Sequence, residues 1–345
     1  MAKIPRLLAG FLIALAGLAA LIFTVAFALV LWSDPQFTTP PDISPQALAA
    51  AEISFDQPYP STERSFRMRD GTILAAQFLA APAEPAKTTI VYVHGLLGAS
   101  FLLNRSSGLL REACAAHDAE VVAIDLRGHG ASKGNPGDVD YIGQYEDDLA
   151  DVIRTLRAAN PGGRLVLAGH SMGGGIALRY AQLASRKLAP PVDGYLLLAP
   201  YLGWSSPTTR QEPPSEAAKS GAQFIKIHLP RIIGLKLLNL AGITAFNGLR
   251  TMFFNLPPEL PLRSYSYRAT EDQAPADYRA ALRAVAAPLL LIAGTHDEAF
   301  LADQYDRVMR ANGHGSVTLV PGATHNGVLN DSRAMAAVKA WVETL

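Results

Sequence analysis

The stretch Gly169-His170-Ser171-Met172-Gly173 constrains this chain more than any other. Before it runs Arg164-Leu165-Val166-Leu167-Ala168, an apolar segment of buried-strand type. After it come Gly174-Gly175 and then Ile176-Ala177-Leu178-Arg179-Tyr180-Ala181, a helical pattern. A strand that turns into a helix within so few residues needs small neighbours, because the residue at the apex is strained and packed between both elements. The same geometry lifts the Ser171 hydroxyl out of a sheet and points the N–H groups of a helix N-terminus at it. Ser171 is therefore a candidate nucleophile.

The rest of the chain supplies the sheet that such a turn requires. From residue 65 onward, strand-like and helix-like segments alternate. Residues 66–69 and 72–79, joined by Asp70-Gly71, read as a hairpin. Apolar runs at 89–93, 120–124, 165–168, 195–199, 289–293 and 317–320 read as buried strands, with helical patterns at 100–116, 141–159 and 332–345. Apolar strands separated by helices predict an α/β fold, with a mostly parallel central sheet covered on both faces. More than 80 residues separate the strands ending at Ala199 and beginning near Pro288. That is too long for a plain crossover, so residues 201–286 read as an inserted helical cap. The core is then 65–200 with 287–345, and residues 33–64, rich in Pro, Ser, Thr and Ala, are a linker and lead-in.

Residues 7–32 contain no charge and are mostly Leu, Ala, Ile, Phe and Val. As a helix they would be about 39 Å long, enough to cross a hydrocarbon core of about 30 Å. The run exceeds the ordinary length of a signal h-region and no small-x-small cleavage pattern follows it, so it is expected to be an uncleaved transmembrane anchor. Lys3 and Arg6 precede it, whereas Asp34, Asp42, Glu52 and Asp56 follow before the next basic residue, Arg64. The positive-inside rule places residues 1–6 in the cytoplasm and the catalytic domain on the outer side. Lysine plus arginine equals aspartate plus glutamate at 30 each, so no basic excess points to nucleic acid. One cysteine, Cys114, excludes an intrachain disulfide and any multi-cysteine metal site. No dinucleotide or phosphate-loop pattern follows a strand, so neither cofactor nor metal is expected.

A serine hydroxyl needs a base, an orienting carboxylate and donors for the oxyanion. In open α/β sheets these gather at the carboxyl ends of strands. His325, in Gly322-Ala323-Thr324-His325-Asn326-Gly327 after the last strand, is the candidate base. Asp297 follows the preceding strand and is the candidate orienter, with Glu298 its rival and His296 a weaker one. His94-Gly95-Leu96-Leu97-Gly98 forms a glycine-rich loop after the strand at 89–93. The N–H groups of Leu96 and Met172 are the candidate oxyanion donors, and His94 is expected to brace its own loop. The turn from Asp125 to Ser132, with Arg127 and His129, reads as structural bracing; His129, His117 and Asp125 lack metal-ligand spacing.

Together, His94-Gly95, Asp125-x-Arg127-Gly128-x-Gly130-x-Ser132, Gly169-His170-Ser171-Met172-Gly173-Gly174, Asp297 and His325 resemble the α/β-hydrolase superfamily, in its branch of monoacylglycerol lipases and lysophospholipases. The resemblance spans about 65–345 and implies a Ser171–His325–Asp297 triad with Leu96 and Met172 as oxyanion donors. It also makes 201–286 the cap. The cap is apolar at Phe224-Ile225, Ile232-Ile233, Leu237-Leu238 and Met252-Phe253-Phe254, which suits lipid-like acyl esters such as monoacylglycerols or lysophospholipids. The expected partners are thus a small-molecule or lipid ester substrate and the membrane. Amide or peptide cleavage and acyl transfer are alternatives on the same site, and a silent pseudo-hydrolase is a third.

Overall fold

A computed structural model describes residues 6–210 and 224–345. The chain starts with α1 (Arg6–Val30) and the short α2 (Pro45–Ala50). The core then runs β1 (Thr62–Arg67), β2 (Ile73–Leu79), β3 (Thr88–Val93), α3 (Asn104–Ala113), β4 (Ala119–Ile124), α4 (Gln144–Ala159), β5 (Arg164–His170), α5 (Met172–Ser185) and β6 (Gly194–Leu198). The insertion follows with β7 (Ile225–Ile227), α6 (Leu229–Leu240), β8 (Arg250–Phe254), β9 (Ser264–Ser266), α7 (Tyr267–Glu271) and α8 (Tyr278–Ala284). The core resumes in β10 (Leu289–Gly294), α9 (Asp303–Asn312), β11 (Ser316–Val320) and α10 (Ser332–Val342).

Eight strands form one sheet in the order β1-β2-β4-β3-β5-β6-β10-β11. β1 and β2 pair antiparallel, as does β2 with β4; every later pairing is parallel. Because successive strand residues point to opposite faces, β3 feeds two cores. Val91 and Val93 pack with residues of α4 and α5 on one face, while Ile90 and Tyr92 pack with residues of α3 and α10 on the other. This is why the parallel strands are apolar throughout rather than alternating.

The order of strands sets the place of chemistry. After β3 the chain crosses to β4 on one side and returns through α4 to β5 on the other. The loops leaving β3 and β5 therefore diverge, and a crevice opens between them at the carboxyl edge.

Three boundaries differ from the sequence reading. β1 begins at Thr62, so residues 62–64 belong to the core sheet and not to the linker. The insertion is not helical alone: β7, β8 and β9 form an antiparallel sheet. Alternating and aromatic residues such as Ile225-x-Ile227 and Met252-Phe253-Phe254 favour strands once another strand is present to pair with them. The helix expected at 141–159 starts at Gln144 because Gly143 takes a left-handed φ of 111° immediately before it. Residues 1–5 at the N-terminus and residues 211–223 of the insertion lie outside the described residues. Among the described residues α1 is the one helix long and apolar enough to cross a membrane, with a mean hydropathy of 2.7 over Gly10–Val30.

Candidate active site

Ser171 sits at the junction of β5 and α5 with φ 52° and ψ −117°. A non-glycine residue held there stores about 1–3 kcal/mol of strain and persists only if its surroundings over-determine it. They do. Its N–H donates to the Leu198 carbonyl at 2.9 Å, and its carbonyl accepts from Gly174, Gly175 and Tyr201 at 3.0, 3.2 and 2.9 Å. The flanking glycines are needed for space. A Cβ on Gly169 would lie 2.3 Å from the Gly173 carbonyl oxygen, and one on Gly173 would lie 2.3 Å from that of Val93. No side chain fits between β5, α5 and β3 at this point.

The loops after β10 and β11 meet at the same edge. His325 Nδ1 lies 3.0 Å from Asp297 Oδ2, with both residues buried. The other carboxylate oxygen of Asp297 accepts the N–H groups of Ala299 and Phe300, each at 2.8 Å. That anchoring leaves Oδ2 directed at the imidazole. With the proton on Nδ1 donated to a carboxylate, Nε2 carries a lone pair. The rival acid is assigned elsewhere by geometry: Glu298 Oε2 accepts the backbone N–H of His325 at 3.0 Å. Two adjacent carboxylates thus hold one histidine, Asp297 by its ring and Glu298 by its backbone.

The histidine loop is tied to the serine turn through His170. Its Nε2–H donates to the His325 carbonyl at 3.2 Å, and the two rings lie 4.8 Å apart. Burial first, and the neighbouring His325 second, push the His170 ring far below the usual histidine range, so it stays neutral. The glycine loop after β3 closes the third side. A Cβ on Gly95 would stand 3.1 Å from the Ser171 Cβ. Among the described residues, the backbone N–H groups of Leu96 and Met172 have no protein acceptor. That of Leu97 is taken, donating to the Tyr265 hydroxyl at 3.0 Å.

His94 is wholly buried beneath this loop. Its Nδ1–H donates to the Gly95 carbonyl at 2.8 Å, and Nε2 accepts the Leu126 N–H at 3.1 Å. Burial lowers its pKa to about 4. Both nitrogens are occupied, which leaves the ring no means of proton transfer to a substrate. The turn after β4 is likewise satisfied within the protein. Asp125 accepts the Ser100 and Ala131 N–H groups, the Ser132 hydroxyl donates to the Asp125 carbonyl, and Arg127 pairs with Asp148 and Asp70.

Three contacts escaped the sequence reading. Tyr265, from β9 of the insertion, reaches to the loop below the site and donates to His129 Nε2 at 2.6 Å while accepting the Leu97 N–H. Arg210, at the start of the insertion, donates to the Asp297 carbonyl at 3.0 Å. The lead-in after α1 straps both neighbours of His325: Thr324 Oγ1 donates to Glu52 Oε2 at 2.5 Å, and Asn326 Nδ2 to the Ala51 carbonyl at 2.8 Å. None is marked by a motif, because each partner is brought in from a distant part of the chain. His170 was legible only as the unspecified second residue of the Gly169–Gly173 turn.

The opposite edge of the sheet, by contrast, carries paired charges. A depression of about 780 Å³ there is lined by Lys87, Arg157, Arg164 and Asp193. Its cations are already engaged, Lys87 with Asp118, Arg157 with Asp193 and Arg164 with the Leu345 carbonyl.

Comparison with known proteins agrees with this architecture. A thermophilic esterase from Thermogutta terrifontis, with malate bound, superposes with a TM-score of 0.54 at 19% identity over 82% of this chain and 98% of its own. A membrane phospholipase A described as a bacterial virulence factor superposes at 0.54 and 19% identity over 98% of each chain. At these identities the likeness is one of fold. The probable esterase PIR7A of Oryza sativa subsp. indica is 38% identical over 84 residues, 24% of this chain and 29% of that protein. The matched part amounts to less than a third of each curated relative. Residues 90–341, most of the chain, match the profile of the Alpha/beta hydrolase family, and the chain belongs to that family.

Proposed function

We propose that the protein is a membrane-anchored serine hydrolase that cleaves lipid-like carboxylic esters through Ser171, His325 and Asp297. The observation that carries this reading is the buried 3.0 Å pair of His325 Nδ1 and Asp297 Oδ2, on a loop bonded to the residue preceding a strained serine. Asp297 keeps the proton on Nδ1, so Nε2 accepts the Ser171 proton as Oγ attacks the ester carbonyl. The C–O π electrons move to oxygen, and the N–H groups of Leu96 and Met172 receive the oxyanion. Collapse expels the alcohol, which takes the proton from Nε2. Water then attacks the acyl-enzyme with His325 again as base, releasing the carboxylic acid and restoring Ser171.

Membrane attachment is supported by how α1 ends. Its last residues are part of the folded domain: Ala26 and Val30 are buried against the insertion, and Arg231 bonds to Val30 and Trp32. A segment destined for cleavage has no reason to be packed in this way. The alignment with the membrane phospholipase A also takes in nearly the whole chain, N-terminal helix included. Lys3 and Arg6, ahead of the uncharged run, favour a catalytic domain on the outer face. An exposed apolar surface on the insertion favours acyl chains over small soluble esters.

The test is labelling with a fluorophosphonate together with turnover of p-nitrophenyl esters of increasing chain length. The full chain is expected to be labelled and to prefer medium or long acyl chains, and Ser171→Ala is expected to lose both labelling and turnover. Labelling that persists in Ser171→Ala would remove Ser171 from the mechanism. Equal or better turnover of the shortest esters would remove the lipid assignment.

A further inference from the structure

α6 is built onto α1. His228, just before α6, places Nε2 3.1 Å from the Trp32 carbonyl. One turn later the Arg231 guanidinium takes up the end of α1: Nε donates to the Val30 carbonyl at 3.0 Å, Nη2 to that of Trp32 at 2.8 Å, and Nη1 pairs with Asp34 at 2.6 Å. A Cβ on Gly234 would lie 2.6 Å from the Ala26 carbonyl oxygen. As α6 advances from its start to Gly234, its partners retreat from Trp32 to Ala26, so the two helices run antiparallel. Ala26, Val30, Leu235, Leu238 and Tyr267 form a small core of their own, apart from the two cores of the main sheet. Phe246, in the loop after α6, meets the Phe27 ring edge-on at 5.6 Å.

The other face of α6 is exposed, with Lys236 among three apolar residues. Leu229, Ile233 and Leu240 are 56%, 44% and 86% exposed. Spacings of four and seven residues place them on one side of the helix. Beside them α1 exposes Leu18, Leu21, Ile22 and Val25. Scattered exposed leucines are ordinary, but a stripe continuous with an apolar helix of this length is not. Between Arg231 and Arg250 the sole charged residue is Lys236, whose ammonium turns 3.3 Å to Glu271. The polar side chains here satisfy each other: Asn239 and Asn247 exchange amide hydrogen bonds of 2.7 and 2.9 Å.

Length decides what covers this face. The uncharged part of α1, residues 7–30, has 24 residues. At 1.5 Å each that is about 36 Å, against the roughly 30 Å of a hydrocarbon core. α1 therefore exceeds the core by about one turn. If it spans from its first apolar residue, Ala26 lies at the edge of the core, and whatever packs on the turns before it enters the bilayer. Leu240, six residues beyond Gly234, lies about 9 Å deeper along α1. Helix bonding satisfies most of the α6 backbone, the N–H groups of Ala241, Gly242 and Ile243 turn back to the terminal carbonyls of Leu238 and Asn239, and Lys236 can reach outward along its own stem.

We propose that α6 is embedded beside α1 in the leaflet nearest the catalytic domain, with Leu229, Ile233 and Leu240 against lipid acyl chains. This rests on the reading of α1 as a membrane span. The insertion is then a second, shallow attachment that holds the hydrolase domain at a set depth on the bilayer, next to its lipid-like substrates.

The experiment uses the full chain in phosphatidylcholine–phosphatidylglycerol vesicles. Cys114 is replaced by alanine, and single cysteines are introduced by Leu240→Cys, Ile22→Cys and Arg310→Cys, each carrying an environment-sensitive nitrobenzoxadiazole label. The expected result is loss of emission with doxyl-labelled lipids at positions 240 and 22 and protection of both from aqueous iodide, with the reverse at position 310. A label at 240 quenched by iodide and not by doxyl lipid, while the one at 22 is quenched by doxyl lipid, overturns the embedding of α6 and leaves the anchor standing. Failure of doxyl quenching at position 22 as well overturns the anchor and the embedding together. Hydrolysis of a soluble ester by the same preparations reads the Ser171 chemistry separately.

Discussion

Replacing Tyr265 with phenylalanine deletes one oxygen from the middle of a buried relay and leaves the shape of the site unchanged. That oxygen accepts the Leu97 N–H at 3.0 Å and donates to His129 Nε2 at 2.6 Å. The His129 tautomer follows from its other nitrogen, which lies 2.9 Å from the Arg127 carbonyl and must donate to it. Tyr265→Phe thus strands one buried N–H and one buried lone pair, at about 1–3 kcal/mol each. Even the low end, about 2 kcal/mol in all, lowers the melting temperature by about 3–4 °C in a domain of this size. The effect on catalysis has a separate origin. Leu97 is held at φ 56°, a left-handed conformation that a branched side chain resists. Once the clamp is gone it can relax and turn the adjoining Leu96 N–H away from the proposed oxyanion position. Complete loss of one such donor costs about 10²–10³ in kcat, so a partial turn is expected to cost about tenfold or more. KM should hardly move, because that N–H acts on charge that develops only in the transition state. Steady-state hydrolysis of p-nitrophenyl butyrate, measured well below the melting temperature of the variant, separates the two effects. A lowered melting temperature with unchanged kcat would refute the positioning role and leave Tyr265 a structural residue.

Gly173→Ala forces a methyl group to 2.3 Å from the Val93 carbonyl oxygen, so β3 and α5 must part. A loss of several kcal/mol and of activity is expected, and near-wild-type denaturant stability would show that β3 and α5 can accommodate the methyl group. Burial holds the His94 pKa at about 4 against an ordinary 6.5. The neutral ring therefore stabilises the fold fully above pH 6.5, and this contribution, about 3 kcal/mol, disappears as pH falls from 6.5 to 4. Urea midpoints across that range should fall, with the His94 ring resonances still those of a neutral imidazole at pH 5; a ring titrating near 6.5 contradicts the burial argument. Glu52→Ala frees Thr324 and slackens the loop of His325, so kcat should drop several-fold, with Glu52→Gln recovering part of it by accepting the same hydrogen bond. Equal rates in both variants would separate the strap from the catalytic loop.

Local chemistry explains what could be read before any fold was known. Gly169, Ser171 and Gly173 announce a strand–turn–helix because no other residues fit where backbone presses on backbone. The carboxyl ends of the apolar runs at 289–293 and 317–320 placed Asp297 and His325 on one rim, since parallel strands deliver their following loops to a common edge. Asp297 and Glu298, by contrast, are adjacent and chemically equivalent in sequence. Only the N–H groups of Ala299 and Phe300 aim one at the imidazole, while the other turns to the backbone of His325. The strands of the insertion were equally hidden, because Ile225–Ile227 becomes a strand only by pairing with β8.

The sequence by itself determined the α/β core, the strained serine turn and an N-terminal helix long enough to cross a bilayer, all properties of side-chain periodicity and local backbone space. Tertiary structure alone decided that Tyr265 clamps the loop of Leu96, that Glu52 straps the loop of His325, and that α6 lies along α1. Those contacts join residues separated by 168, 272 and about 200 positions. No local pattern encodes such pairings, because they exist only after the sheet has fixed where each loop ends.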